Sequence, residues 1–249
     1  ATSLHQMPVN LIGVAISTAF FPKMTEDLGE GKEEEFYATF RSALRTIIWI
    51  SLPVAIIAFF ARGYVVSFIK NGGDSLIASV LATLVVAIFA RSVFHIASRG
   101  FYARQDTKTP FVVSIVAVGL STVLAILFTV WGFGPEGLGY AQSIGALLEI
   151  VILLALLNRR SHHRILSKGF YRGIARMLIA SVITGAVAYS LAKFFPLRST
   201  DVSILATLPK FLLISVLSFV AYVVSGYFLD LPEVEPIIEK VKKILFRNI

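Results

Sequence analysis

"FVVSIVAVGLSTVLAILFTVW", Phe111 to Trp131, runs through 21 positions without one charged side chain. At 1.5 Å per residue a helix of that length covers about 30 Å, the thickness of the hydrocarbon core of a bilayer. The stretch therefore reads as a membrane-spanning helix, and its neighbours repeat the pattern. Upstream, Ser75 to Ser98 is a second apolar run, separated from the first by "GFYARQDTKTP", Gly100 to Pro110, which carries Arg104, Asp106 and Lys108. Two readings of that polar stretch stand: a turn at the membrane surface with snorkelling cations, or a phosphate site made by Arg104 and Lys108. The glycine spacing of a phosphate loop is missing, which favours the turn. Thr109 before Pro110 reads as the cap and first residue of the following helix.

The same length criterion gives seven segments: Thr2 to Phe21, Thr46 to Ile69, Ser75 to Ser98, Phe111 to Trp131, Gly137 to Leu157, Ala175 to Phe195 and Phe211 to Leu229. The second holds Pro53, an expected kink, and is broken at Arg62 and Gly63, after which a short interfacial piece is expected. Composition agrees: the 249 residues are 56% hydrophobic and only 15% charged, where a soluble domain has about a quarter charged. The expected fold class is an all-α integral membrane protein with about seven transmembrane helices. The chain opens on Ala-Thr-Ser without an initiator Met, so it is expected to be a fragment whose first helix is truncated.

Charge orients the helices. Alternate connecting segments carry seventeen Lys and Arg on one side and five on the other, with Arg91 left inside a helix. The positive-inside rule makes the richer side cytoplasmic, with an external N-terminus and a cytoplasmic C-terminus. Topology and anionic lipid thus account for the net charge of +8, and no nucleic-acid partner is expected. The absence of cysteine excludes disulfides and thiolate ligands, and the four histidines form no His-x-x-x-His pair, so neither a metal, a cofactor nor a catalytic group is expected.

Polar residues within the apolar runs carry more information, because a central charge costs about 2.5 to 3.5 kcal/mol on insertion scales. Arg91, His95 and Arg99 recur every four residues and form one stripe. Glu149 has twelve uncharged residues before it and nine after. Either Arg91 and Glu149 pair and simply hold helices together, or Arg91 lines a path for an anionic group and Glu149 couples an ion; for Glu149 the pair is favoured. In the first segment Thr2, Gln6, Asn10, Gly13 and Ser17 share a helical face, read as lining a hydrated cavity or as small-residue packing. Ser114, Ser121 and Thr122 read as packing residues, and His162 and His163 as solvated loop residues. The tail, Pro232 to Ile249, places Ile237, Ile238, Val241, Ile244 and Leu245 on one face with Lys240, Lys242, Lys243 and Arg247 around it, as an interfacial amphipathic helix does.

Three stretches, "MPVNLIGVAISTAFFPKMTED", "GFYARQDTKTP" and "GPEGLGYAQSIGALLEIVILLALLNRR", resemble the second half of the MurJ/MviN lipid II flippases, members of the MOP superfamily. The resemblance implies the second lobe of a two-lobed transporter plus two extra helices. Residues 1–160 would be the partial C-terminal lobe, 161–230 two additional transmembrane helices forming a groove for a lipid tail, and 231–249 a cytoplasmic amphipathic basic helix. It further implies transport by alternating access in the bacterial inner membrane, with no enzymatic step. The cargo would be the undecaprenyl-pyrophosphate-linked peptidoglycan precursor, and the partners membrane lipids, the missing N-terminal lobe and cell-wall synthesis proteins. Arg91 and His95, with Gln6 and Asn10, would be the cavity residues. Many family members carry an arginine where this chain has Ser3, so that cation is not carried over. Another MOP exporter, such as a polysaccharide-lipid flippase or a cation-coupled drug antiporter, and a non-transporting scaffold for cell-wall enzymes remain as alternatives.

Overall fold

The computed structural model describes residues 2–69, 73–161, 165, 167–197 and 203–245, with side chains described outside 2–5, 241–242 and 244–245. Thr2 and Ser3, the loop histidines His162 and His163, and Val241, Lys242, Ile244, Leu245 and Arg247 of the tail face therefore lie outside the described residues or side chains.

Helices follow one another throughout: α1 (Thr2–Val9), a π-helical turn (Asn10–Val14), α2 (Ala15–Gly29), α3 (Glu33–Phe60), α4 (Arg62–Ser67), α5 (Ser75–Ala103), α6 (Lys108–Val130), α7 (Gly134–Arg160), α8 (Lys168–Phe194), α9 (Ile204–Phe228) and α10 (Glu235–Leu245). Among the described residues seven spans are long and apolar enough to cross a membrane, the first running through the π turn from Gln6 to Gly29. The break expected at Arg62 separates α3 from α4, where Arg62 Nη1 donates to the Phe59 carbonyl left unpaired at the end of α3. α3 begins thirteen residues before the expected Thr46. Its first turns are amphipathic rather than apolar, with Glu33, Glu34 and Glu35 at the dipole-positive end and Phe36, Tyr37 and Phe40 buried.

α5 is the axis of the molecule. It packs against α7, α3, α1 and α2, while α6 leans almost entirely on α7 and α8 pairs with α9 and α3. Close approach is made possible by glycine at the crossings. A Cβ on Gly139 of α7 would lie 1.8 Å from Thr83 Oγ1 of α5, and one on Gly145 would lie 1.8 Å from Ser121 Oγ of α6. Between lipid-soluble helices, contact of this kind replaces the hydrophobic effect as the source of association. The core proper gathers near the α3, α5 and α7 crossing around Phe40, Leu44, Ile96, Phe101, Leu153 and Leu157, all fully buried. There Gly100 lets Phe40 and Leu157 meet, since a Cβ would stand 2.8 Å from the Phe40 ring.

The start of α6 differs from the expected Thr109 cap. The helix begins at Lys108, and Asp106 takes the capping role: its Oδ1 accepts the Thr109 N–H (2.9 Å) and its Oδ2 the Thr109 hydroxyl (2.6 Å). A carboxylate offers two acceptors where a hydroxyl offers one, so Asp106 outcompetes Thr109 for the free N–H groups. Arg160 at the end of α7 bonds the same carboxylate and lies over the Phe101 ring, closing the turn. Those bonds hold Asp106 well below the usual carboxylate range, at about 2, the Thr109 hydroxyl and N–H contributing most and Arg160 next. Arg104 bonds the Tyr37 hydroxyl and lies 3.5 Å from Glu33. Two of the cations of "GFYARQDTKTP" and its surroundings are thus consumed inside the protein, and the stretch is a turn.

Candidate functional site: a buried carboxylate under a half-exposed arginine

Arg91 sits sixteen residues after the start of α5, and Glu149 fifteen after the start of α7. At equal rise along two helices running the same way, the two side chains reach the same depth. Arg91 Nη1 donates to Glu149 Oε2 at 3.2 Å, and Ser114 Oγ of α6 donates to Oε1 at 2.6 Å. Both carboxylate oxygens are therefore engaged, and one buried acid joins three helices. Exposure is divided unequally: the Glu149 side chain is 1% exposed and that of Arg91 33%. A buried carboxylate is tolerable only with such partners. Arg91 faces both ways, supplying that partner while a third of it stays accessible. Ser114, expected only to pack, is a ligand of this carboxylate; Ser121 and Thr122 instead return their hydroxyls to backbone carbonyls of their own helix, as hydroxyls in apolar helices usually do.

One turn on, His95 is half-buried against the π turn, where a Cβ on Gly13 would lie 2.7 Å from His95 Cδ2 and 3.0 Å from the Ser92 backbone. Arg99 lies over the Phe21 ring at 4.8 Å and reaches Thr18 Oγ1 of α2. The stripe on α5 is thus flanked by α7 at Arg91 and by the first span at His95 and Arg99. The first span's own stripe does not survive intact. Gln6 and Asn10 are exposed, whereas Gly13 and Ser17 are buried against α5, Ser17 bonding the Val14 carbonyl. The π turn inserts about one extra residue, so positions after Val14 are rotated relative to a continuous α-helix and the four-residue spacing no longer marks one face. The side chains of Gln6 and Asn10 make no hydrogen bond among the described residues.

An apolar cavity of about 520 Å³ opens between α1, α3, α4, α5 and α9, walled by Met7, Val54, Ile57, Leu81, Phe211 and Phe219 among others. Within the described residues α9 contributes heavily to it and α8 does not.

Two polar clusters escaped the reading of the sequence. Asp27, fully buried, holds Lys23 at 2.8 Å and accepts from Thr39 at 3.0 Å, pinning α2 to α3; the Lys23 to Asp27 spacing of four was the available signal. Arg45 of α3 pairs with Glu233, just after α9, 188 positions away, and no local pattern announces it. Among the described residues no group of three or more His, Cys, Asp or Glu could hold a metal ion.

The family model described as "Lipid II flippase MurJ" matches residues 1–221. The chain belongs to that family. A relative from Rhizobium tropici named "Probable lipid II flippase MurJ" is 24% identical over 235 residues, 91% of this chain and 44% of its own length. Relatives of the same name from Borreliella burgdorferi and Vibrio cholerae are 26% and 27% identical, covering 81% and 76% of this chain and 40% and 37% of theirs. The chain thus spans less than half the length of these curated relatives. A solved structure, "Lipid II flippase MurJ, inward closed conformation", superposes with a TM-score of 0.66 over 90% of this chain and 44% of the other, at 21% identity, which establishes a shared fold. These are family members named for moving a lipid rather than for an enzymatic reaction.

Proposed function

We propose that the protein to which this chain contributes moves the lipid-linked peptidoglycan precursor, lipid II, across a bacterial inner membrane, with Arg91 as a cation that meets its pyrophosphate. Family membership supports the cargo, and the observation that carries the role of Arg91 is its split environment: anchored on Glu149 at 1% exposure, yet one-third accessible itself. A guanidinium has five donors in a fork that suits phosphate oxygens, and the contact with Glu149 uses one of them. Held in place beforehand, it loses little freedom on meeting an anion. His95 stands one turn away as a second polar group, and the exposed Gln6 of α1 and Asn10 of the π turn are the hydrogen-bonding groups for sugar hydroxyls.

In this reading residues 1–160 form most of the second lobe, 161–230 the added pair, and 231–249 an amphipathic tail on the cytoplasmic side. The missing first lobe completes the cavity. The 520 Å³ apolar cavity between α9 and the first span suits part of an isoprenoid tail. Glu149 acts as the anchor of Arg91. Both of its oxygens are taken, which weighs against the cation-coupled antiporter, where a carboxylate must be open to an ion.

The test is complementation of a flippase-depleted cell by the full-length protein. Arg91→Ala at wild-type membrane level is expected not to support growth and Arg91→Lys to support it partially; growth of the Arg91→Ala strain at the wild-type rate contradicts the role.

A further inference from the structure

At the end of the bundle opposite the basic segments lies a second and larger cavity, of about 860 Å³. Its walls are the α3–α4 elbow, the first two turns of α5, the start of α7 and the end of α8. The elbow is fixed to α8 by the Tyr64 hydroxyl, which donates to the Phe195 carbonyl. Thr83, where α5 crosses α7 tightly at Gly139, belongs to its lining. Three features of the lining belong together. Most of it is apolar and aromatic: Phe59, Phe60, Phe133 and Tyr140 all contribute, and Phe59, Phe133 and Tyr140 are exposed. Among the described residues it contains one cation, Arg62, whose guanidinium lies over the Phe59 ring at 4.9 Å and spends a single donor on the Phe59 carbonyl. Among the described residues it also contains one anion, Glu136 in the first turn of α7, which has no hydrogen-bond or ion-pair partner there.

Arg62 and Glu136 share this cavity without pairing, each on a different wall. An occupant that satisfies both must carry a negative and a positive group on an apolar body, at the level where helices leave the membrane. We infer that this cavity binds a phospholipid with a phosphoethanolamine headgroup from the leaflet opposite the basic loops: phosphate on Arg62, ammonium on Glu136, and the upper acyl chains along the aromatic wall. Arginine suits the phosphate by its fork, and a carboxylate suits a primary ammonium as a charge-assisted acceptor. An anionic headgroup without an amine would leave Glu136 unpaired and facing like charge. The volume falls within the range of ordinary ligand sites and admits a headgroup with the first part of its chains.

The test uses the full-length protein in nanodiscs of equal phosphatidylethanolamine and phosphatidylglycerol with matched chains, with retained lipid counted by native mass spectrometry. The wild type is expected to retain phosphatidylethanolamine preferentially. Glu136→Gln is expected to lower that preference about tenfold, the scale of one lost charge-assisted contact, without loss of total lipid bound. Arg62→Ala loses both lipids from the site and Arg62→Lys restores them, which separates a phosphate contact from the elbow's need for a capped helix end. An unchanged lipid ratio in Glu136→Gln overturns the inference. So does a photo-crosslinker at Ala82, on the cavity wall, that captures protein or peptide in place of lipid.

Discussion

Arg91→Ala is the perturbation whose cost the structure fixes most closely. Among the described residues it removes the only cation bonded to Glu149 and leaves a carboxylate of 1% exposure with Ser114 as its remaining partner. Removing one partner of a buried ion pair costs about 3 to 5 kcal/mol, chiefly because the surviving charge is stranded. Arg91 is one-third exposed, so part of its charge is already screened, which reduces the cost to about 2 to 3 kcal/mol. The same reasoning orders the companions. Glu149→Gln keeps an acceptor for Ser114 and strands only the better-solvated guanidinium, so its cost is smaller, about 1 kcal/mol. In Arg91→Ala/Glu149→Gln no charge is stranded, and the double variant is expected to be more stable than Arg91→Ala alone by about 1 to 2 kcal/mol. The assay is a double-mutant cycle on the full-length protein, unfolded reversibly by sodium dodecyl sulfate in mixed micelles and followed by tryptophan fluorescence. Additive costs, with the double variant the least stable of the three, refute the reasoning.

Three further outcomes follow from particular contacts. Gly145→Ala sets a methyl 1.8 Å from Ser121 Oγ and should destabilise the α6–α7 packing by about 1 to 3 kcal/mol, with Ser121→Ala in the same chain recovering part of it in the same unfolding assay. Asp106 has a carboxyl pKa lowered from 3.8 to about 2, so its bonds stabilise the native state above pH 4 and are lost as the pH falls through about 2. With its side chain 23% exposed, the contribution is about 1 kcal/mol, and Asp106→Asn should show a flatter stability profile between pH 4 and pH 2 than the wild type. Glu233→Gln breaks the ion pair to Arg45 and should speed hydrogen exchange in residues 231–240 without changing it in α7, since the side chains are only 21% and 10% exposed and hold that elbow to α3.

The spans were legible because a membrane helix announces itself by uninterrupted apolar length, which needs no knowledge of partners; Phe111 to Trp131 falls almost wholly within α6. Ends that rest on amphipathic turns were not legible by that criterion, as Glu33 to Arg45 of α3 shows. The Arg91 to Glu149 pair was readable as two isolated charges that each needed compensation, whereas Ser114 was not, because most hydroxyls in such helices satisfy themselves on their own backbone. The π turn at Asn10–Val14 defeated the stripe from Gln6 to Ser17, since spacing predicts a face only while the helical period holds. Arg45 and Glu233 meet through tertiary packing alone, and one sequence contains no signal for it.

A proposed action of Arg91 on the cargo is separated from a role in the fold alone by the charge-balanced double variant. Full-length Arg91→Ala/Glu149→Gln, reconstituted in vesicles carrying lipid II, is to be compared with the wild type for the rate at which lipid II becomes accessible on the opposite face. The expected result is a protein that is folded at least as well as Arg91→Ala and yet moves lipid II at less than a tenth of the wild-type rate, as loss of one charge-assisted contact implies. Transport at the wild-type rate by that variant would contradict it.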